Sequence, residues 1–148
     1  MENTDHGFNF EDALLLFAIG YCQRHGENAT LGRVFLAIDA INRSSPMRDE
    51  LEDGLNKLLV GGYIEVYKDK FVATELGVRL FDEASDRKTH ADVFEELHDL
   101  AGRLGWRVST GNSPERIVIT DAQVTAATQE MHAIYEEIVA RINDRDAK

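Results

Sequence analysis

The stretch 51–77 constrains the fold more than any other part of this chain. Leu51, Leu55, Leu58 and Leu59 recur at helical spacing, and Gly61-Gly62 stops the helix they define. Directly after it come Tyr63-Ile64-Glu65-Val66-Tyr67, a polar turn Lys68-Asp69-Lys70, and then Phe71-Val72-Ala73-Thr74. Two β-rich runs around so short a turn predict a hairpin. Thr74 is placed to cap a further helix carrying Leu76, Leu80 and Phe81. These strands are expected to form a two-stranded antiparallel wing near 63–74 and not to lie in a large parallel sheet, whose strands need crossover connections.

Upstream, Asn9 is a helix cap and Glu11 and Asp12 suit the positive end of the helix dipole. Residues 13–21 are apolar nearly all round, so this first helix is expected to be buried on most sides. Gly26 closes the segment. Thr30 caps a second helix with Leu31, Val34, Phe35, Ile38 and Ile41 on one face. Ser44-Ser45-Pro46 opens the third helix, with Ser45 as cap and Pro46 in the first turn.

The order is therefore helix, helix, helix, hairpin, helix. Residues 51–64 are similar to the recognition helix, glycine and first wing strand of the winged helix-turn-helix superfamily. Phe71-Val72-Ala73-Thr74-Glu75-Leu76-Gly77 resembles its second wing strand and threonine-capped helix. The resemblance covers 11–86. The second helix, through Ile38-Asp39-Ala40-Ile41-Asn42-Arg43, also resembles that of small bacterial winged-helix proteins. The resemblance implies a fold. It leaves two functions open, because winged helices serve both DNA binding and protein contacts.

Beyond it, Thr89 with Asp92 reads as a capping box for a helix through Val93, Leu97, Leu100 and Leu104, ended by Gly105. Trp106-Arg107-Val108 and Arg116-Ile117-Val118-Ile119 read as strands, and Asp121 as the cap of a last helix. In that helix Val124, Ala127, Met131, Ile134, Ile138 and Ile142 recur by threes and fours. The stripe predicts packing within the chain, against the 90–104 helix, or a homodimer seam through 122–143. The expected fold class is mainly α with small β hairpins. A winged-helix domain spans 1–88, and a helix-hairpin-helix region spans 89–148.

Charge separates the functions. The net charge is -11 over 148 residues. Residues 31–90 hold nine Lys and Arg against eleven Asp and Glu, so most of the excess acid lies in the first helix region and the C-terminal third. Nucleic acid demands a concentrated basic face, whereas an acidic surface steers basic proteins. With Leu51, Leu55 and Leu58 inward, the outer face of the third helix is expected to carry Asp49, Asp53, Asn56 and Lys57. The leading expectation is a non-enzymatic acidic module that binds a basic protein, in the manner of an immunity or antitoxin-like inhibitor of a nuclease-type effector. Its contacts are expected at Asp49, Asp53 and Asn56, and at Asp92, Glu95, Glu96 and Asp99. The alternative is a DNA-binding regulator using Arg48, Asn56, Lys57, Lys68 and Lys70.

Other chemistry finds little support. Glu95-x-x-His98 has the spacing of a di-iron bundle unit, but it occurs once, and it reads as a solvated helix face with no metal. No nucleophile elbow or phosphate loop is present, and no cofactor is expected. The lone Cys22 sits in the apolar first helix and reads as a buried thiol. The polar, acidic start Met1-Glu2-Asn3-Thr4-Asp5-His6 does not read as a secretory leader, and a cytoplasmic setting without membrane contact is expected.

Overall fold

A computed structural model of the chain describes residues 8–42, 47–68, 70–85, 92–104 and 116–146. It is mainly helical with one small antiparallel sheet. The elements run α1 (Phe10–Arg24), β1 (Ala29–Thr30), α2 (Leu31–Asn42), α3 (Arg48–Val60), β2 (Ile64–Tyr67), β3 (Lys70–Ala73), α4 (Glu75–Ala84), α5 (Val93–Arg103) and α6 (Asp121–Asp146). The sheet order is β1-β3-β2. The hairpin lies where the sequence places it, with Val66 opposite Phe71 and Ile64 opposite Ala73. The third strand, β1, was not expected. Only two residues long, it carries no periodic signal, and it is defined by pairing Ala29 with Phe71.

Helix α1 is the centre of the molecule, as its all-round apolar character requires. Residues 12–20 are buried without interruption. Around α1 pack α2, α3, α4, α5 and the sheet. Leu16, Ile19, Ile38, Leu51, Leu55, Leu58, Ile64, Leu97 and Leu100 are among the large, fully buried side chains of one core. Asn9 caps α1 as expected: its Oδ1 accepts the Asp12 N–H (3.0 Å), and Asp12 Oδ2 accepts the Asn9 N–H (2.9 Å).

Helix α3 is locked to the hairpin at its glycine end. The Thr74 hydroxyl donates to the Gly62 carbonyl (2.6 Å) and accepts the Gly77 N–H (3.2 Å), so one side chain closes the hairpin and caps α4. Gly77 is needed for this approach, because a Cβ there would run into the Tyr63 carbonyl oxygen.

Several boundaries differ from the sequence reading. Helix α3 begins at Arg48, while Ser45 and Pro46 lie outside the described residues. Helix α5 is capped by Asp92, which accepts the Glu95 N–H (3.0 Å), and Thr89 lies outside the described residues. Thr120, not Asp121, caps α6, through a reciprocal pair with Gln123 (2.8 and 3.1 Å). Residues 116–120 form no strand ladder, and the expected partner 106–108 lies outside the described residues. Helix α6 packs along α2, not along α5. Gly32 makes this possible: the Glu130 side chain occupies the space a Cβ would take, and Glu130 Oε2 accepts the Thr30 hydroxyl (2.8 Å).

Candidate functional site

Helix α3 with the extended segment 116–120 laid along it is the most organised polar surface of the chain. The match is one of spacing. Four residues of helix rise about 6 Å, and two residues of extended chain advance about 6.8 Å. Side chains at i, i+4 and i+8 on a helix can therefore meet alternate peptide groups of a strap. Arg48, Glu52 and Asn56 have this spacing. Asn56 Oδ1 accepts the Ile117 N–H (2.7 Å), and Asn56 Nδ2 donates to the Ile117 carbonyl (2.8 Å). Glu52 Oε2 accepts the Ile119 N–H (2.8 Å), while Arg48 donates to the Ile119 carbonyl (3.1 Å). Ile117 and Ile119 are thus each met at both their N–H and their carbonyl, as a neighbouring strand would meet them. The side chain of Ile119 is buried in the core, while Val118 points to solvent.

Charges fasten both ends of the strap. Arg116 lies 3.5 Å from Glu52, and Arg48 reaches Asp121 at the start of α6 (3.1 Å) as well as its neighbour Asp49 (2.8 Å). The hydrogen bond from Ile119 is the main cause that holds the Glu52 carboxyl below its ordinary value, with Arg116 and Arg48 adding to it. A depressed carboxylate pKa stabilises the fold above the unfolded value and loses that effect as pH falls through the folded one. Strap docking is therefore expected to be intact above the ordinary glutamate value of 4.5 and to weaken below it. The amide shift of Ile119, followed by NMR through acid titration, should move with Glu52. In Glu52→Gln this transition should vanish.

The candidate residues separate sharply. Asp49 and Asp53 are exposed on α3, as expected. Asn56 is not: it is buried, because the strap covers the face that sequence spacing assigned to solvent. Lys57 turns inward and forms an ion pair with Asp12 of α1, with its ammonium also 5.6 Å from the Phe8 ring. Of the residues assigned to DNA, Arg48, Asn56 and Lys57 are thus engaged within the chain. At the hairpin tip, Lys70 donates to Asn28 Oδ1 (3.2 Å), and Lys68 lies 5.5 Å from the Tyr67 ring.

On α5, Asp92 and Glu95 are exposed, with Asp92 serving as the cap. Glu96 is buried, contrary to its assignment to a contact surface, because it lies on the side of α5 that faces the core beside Leu97 and Leu100. Asp99 is tied to Arg103 (2.6 Å), which also reaches Glu83 (3.0 Å). Helices α3 and α5 both pack on α1, so the two acidic sets belong to separate elements of the scaffold.

A cleft of about 480 Å³ opens between the hairpin, the strap and α6. Val66, Phe71, Ile117, Val118 and Ala127 make it mainly apolar, and its Thr30 and Glu130 already bond each other. Among the described residues, no three His, Cys, Asp or Glu side chains gather as metal ligands would. His98 packs against the Phe10 ring at 5.3 Å. Burial first, and the Glu27 carboxylate second, push the Cys22 thiol up to about 11, so it stays protonated at neutral pH. No described helix is long and apolar enough to cross a membrane.

Comparison with known proteins brings no relative: no family model matches the chain, and neither a curated protein nor a solved structure matches it.

Proposed function

We propose that this chain is a non-enzymatic protein-interaction module built on a winged helix, with the acidic side of α3 as its contact surface. The element order over 11–86, with β1 pairing beside the hairpin and α3 leading into it, supports the winged-helix reading. The observation that carries the function is the strap. A winged helix that reads DNA presents its third helix to the groove with Arg, Lys, Asn or Gln free for bases and phosphates. Here Arg48 and Asn56 are spent on the strap and Lys57 on Asp12. Asp49, Glu50 and Asp53 remain outward, and they would meet phosphate with repulsion.

The partner is a protein with basic groups at its contact surface. Inhibition of a basic effector, as an immunity protein or antitoxin does, is the concrete form of this reading. The net charge of -11 supports fast, salt-sensitive encounter with such a partner.

Two measurements test the reading together. In mobility shifts on random duplex DNA, the chain is expected to lack the nonspecific affinity of basic domains, about 10⁻⁴–10⁻⁶ M at physiological salt. Salt-steep binding that disappears in Lys68→Glu with Lys70→Glu would establish the regulator instead. With a captured partner, Asp49→Lys with Asp53→Lys should slow association and flatten its salt dependence. Both residues are exposed, but Asp49 pairs with Arg48 in the first turn of α3, so stability should fall by about 0.5–1 kcal/mol with the fold retained. An unchanged on-rate would remove α3 from the interface. Glu95→Lys then tests α5, whereas Glu96, being buried, cannot serve that purpose.

A further inference from the structure

Strand β2 is an open edge, because the order β1-β3-β2 leaves it no neighbour beyond β3. Along an antiparallel strand, successive residues turn their N–H and carbonyl to opposite sides. Two contacts fix the phase here. The Tyr63 carbonyl accepts the Thr74 N–H (2.9 Å), and the Ala73 N–H turns away from β2 to Gln23. Glu65 and Tyr67 therefore bond β3, opposite Val72 and Lys70, while Val66 turns its N–H and carbonyl to the open side. Among the described residues no hydrogen bond takes up these two groups, and Val66 is 45% exposed. The strap has a free edge as well. Ile117 and Ile119 use their N–H and carbonyl groups on α3, so those of Val118 between them face away from it. Val66 and Val118 line the same cleft of about 480 Å³.

A cleft bordered by unpaired backbone calls for more than an apolar occupant. It calls for N–H and carbonyl groups at strand spacing, which an extended peptide supplies. The opposite edge of the sheet, β1, is two residues long and runs straight into α2, so it offers no comparable length. Charge sets the character of the peptide. Lys68 at the hairpin turn and Arg116 at the start of the strap are the cations lining the cleft, and both are exposed. Its lining carboxylate, Glu130, is already bonded to Thr30. We propose that this cleft takes an extended segment of a partner protein as an added strand on the edge of β2. The segment is apolar at alternate positions and acidic where it passes Lys68 and Arg116. Main-chain bonds to Val66 hold it, while Phe71, Ile117 and Val118 receive its apolar side chains. The four residues of β2 run about 13 Å, so the matching segment is about four to six residues long. The site is separate from the acidic side of α3 and selects the opposite charge.

The probe is a blocked, fluorescein-labelled peptide in which valine and threonine alternate over four residues and two glutamates follow. Fluorescence anisotropy on the full chain should show saturable binding with Kd below about 1 mM, weakened by added salt. The same peptide N-methylated at every residue cannot donate to either edge and should bind at least about tenfold more weakly, as the loss of two hydrogen bonds implies. Val66→Pro removes an outward N–H but no ladder bond, so the hairpin should survive by far-UV circular dichroism while peptide affinity falls about tenfold. Lys68→Glu should weaken binding of this peptide and spare the version with glutamine in place of glutamate, a difference that misfolding would not produce. Absence of saturable binding up to millimolar peptide overturns the proposal. Equal binding of the N-methylated peptide also overturns it, since the cleft would then hold apolar acids without strand pairing. A dimer that Val66→Pro dissolves and the peptide does not displace would assign the edge to a second copy and overturn it too.

Discussion

Asp12→Ala is expected to lower the unfolding free energy by about 3–5 kcal/mol, the usual cost of removing one member of a buried ion pair. Asp12 is 4% exposed and its partner Lys57 15%. The substitution takes the carboxylate away from the ammonium held between α1 and α3, where only 15% of the lysine side chain is exposed. It also removes half of the capping box, since Asp12 Oδ2 accepts the Asn9 N–H. Asp12→Asn keeps an acceptor for that bond but not the charge, so it should fall between Asp12→Ala and the parent. Chemical denaturation of the three chains measures the order. A double-mutant cycle with Lys57→Met should show strong coupling, the double variant losing clearly less than the two single losses added. A loss below about 1 kcal/mol for Asp12→Ala would mean that the pair is solvated and does not organise the α1–α3 contact. The pair also limits functional mutagenesis: Lys57 cannot be reversed to test DNA contacts without disturbing the core, which leaves Lys68 and Lys70 as the useful positions.

The elements were legible where a local pattern and a local need coincide. Leu51, Leu55 and Leu58 repeat with helical period, Gly61-Gly62 ends the repeat, and Thr74 both closes the hairpin and caps α4. Residues 13–19 are apolar on every side, and α1 is indeed covered from every side. What was not legible depends on partners distant in the chain. Asn56 occupies a helical position that points away from Leu51 and Leu55, and spacing alone assigns it to solvent. Its burial comes from Ile117, 61 residues later. The identity of the i, i+4, i+8 residues was a usable signal, since an arginine, a glutamate and an asparagine together match both polar groups of a passing backbone. Lys57 misled for the same reason: nothing near it in sequence announces Asp12. Segment 116–119 has strand composition but takes its hydrogen bonds from helix side chains, so β-propensity was read correctly as extended backbone and wrongly as a ladder.

Asn56→Ala should cost about 2–3 kcal/mol, because it strands both the N–H and the carbonyl of Ile117 beside the core. The loss is expected to be local before it is global. Glu52 and Arg48 still hold Ile119, and the core helices do not depend on the strap for their own hydrogen bonds. Native-state amide exchange should therefore rise at Ile117 first, then at Ile119 and the first turn of α6, with α1 following only the global stability. Asn56→Asp keeps the acceptor for the Ile117 N–H, loses the donor and adds charge one turn from Glu52, so it should fall between the parent and Asn56→Ala. The same variant tests the role of α3. With the strap loosened, Arg48 and Arg116 become free beside Asp49, Glu50 and Asp53. If α3 is an acidic contact surface, Asn56→Ala still binds no duplex DNA at physiological salt, while its protein partner loses affinity only as far as the strap orders α3. If the variant instead gains DNA affinity that falls steeply with salt, the strap is a cover over a nucleic-acid surface. The acidic reading of α3 would then have to be abandoned.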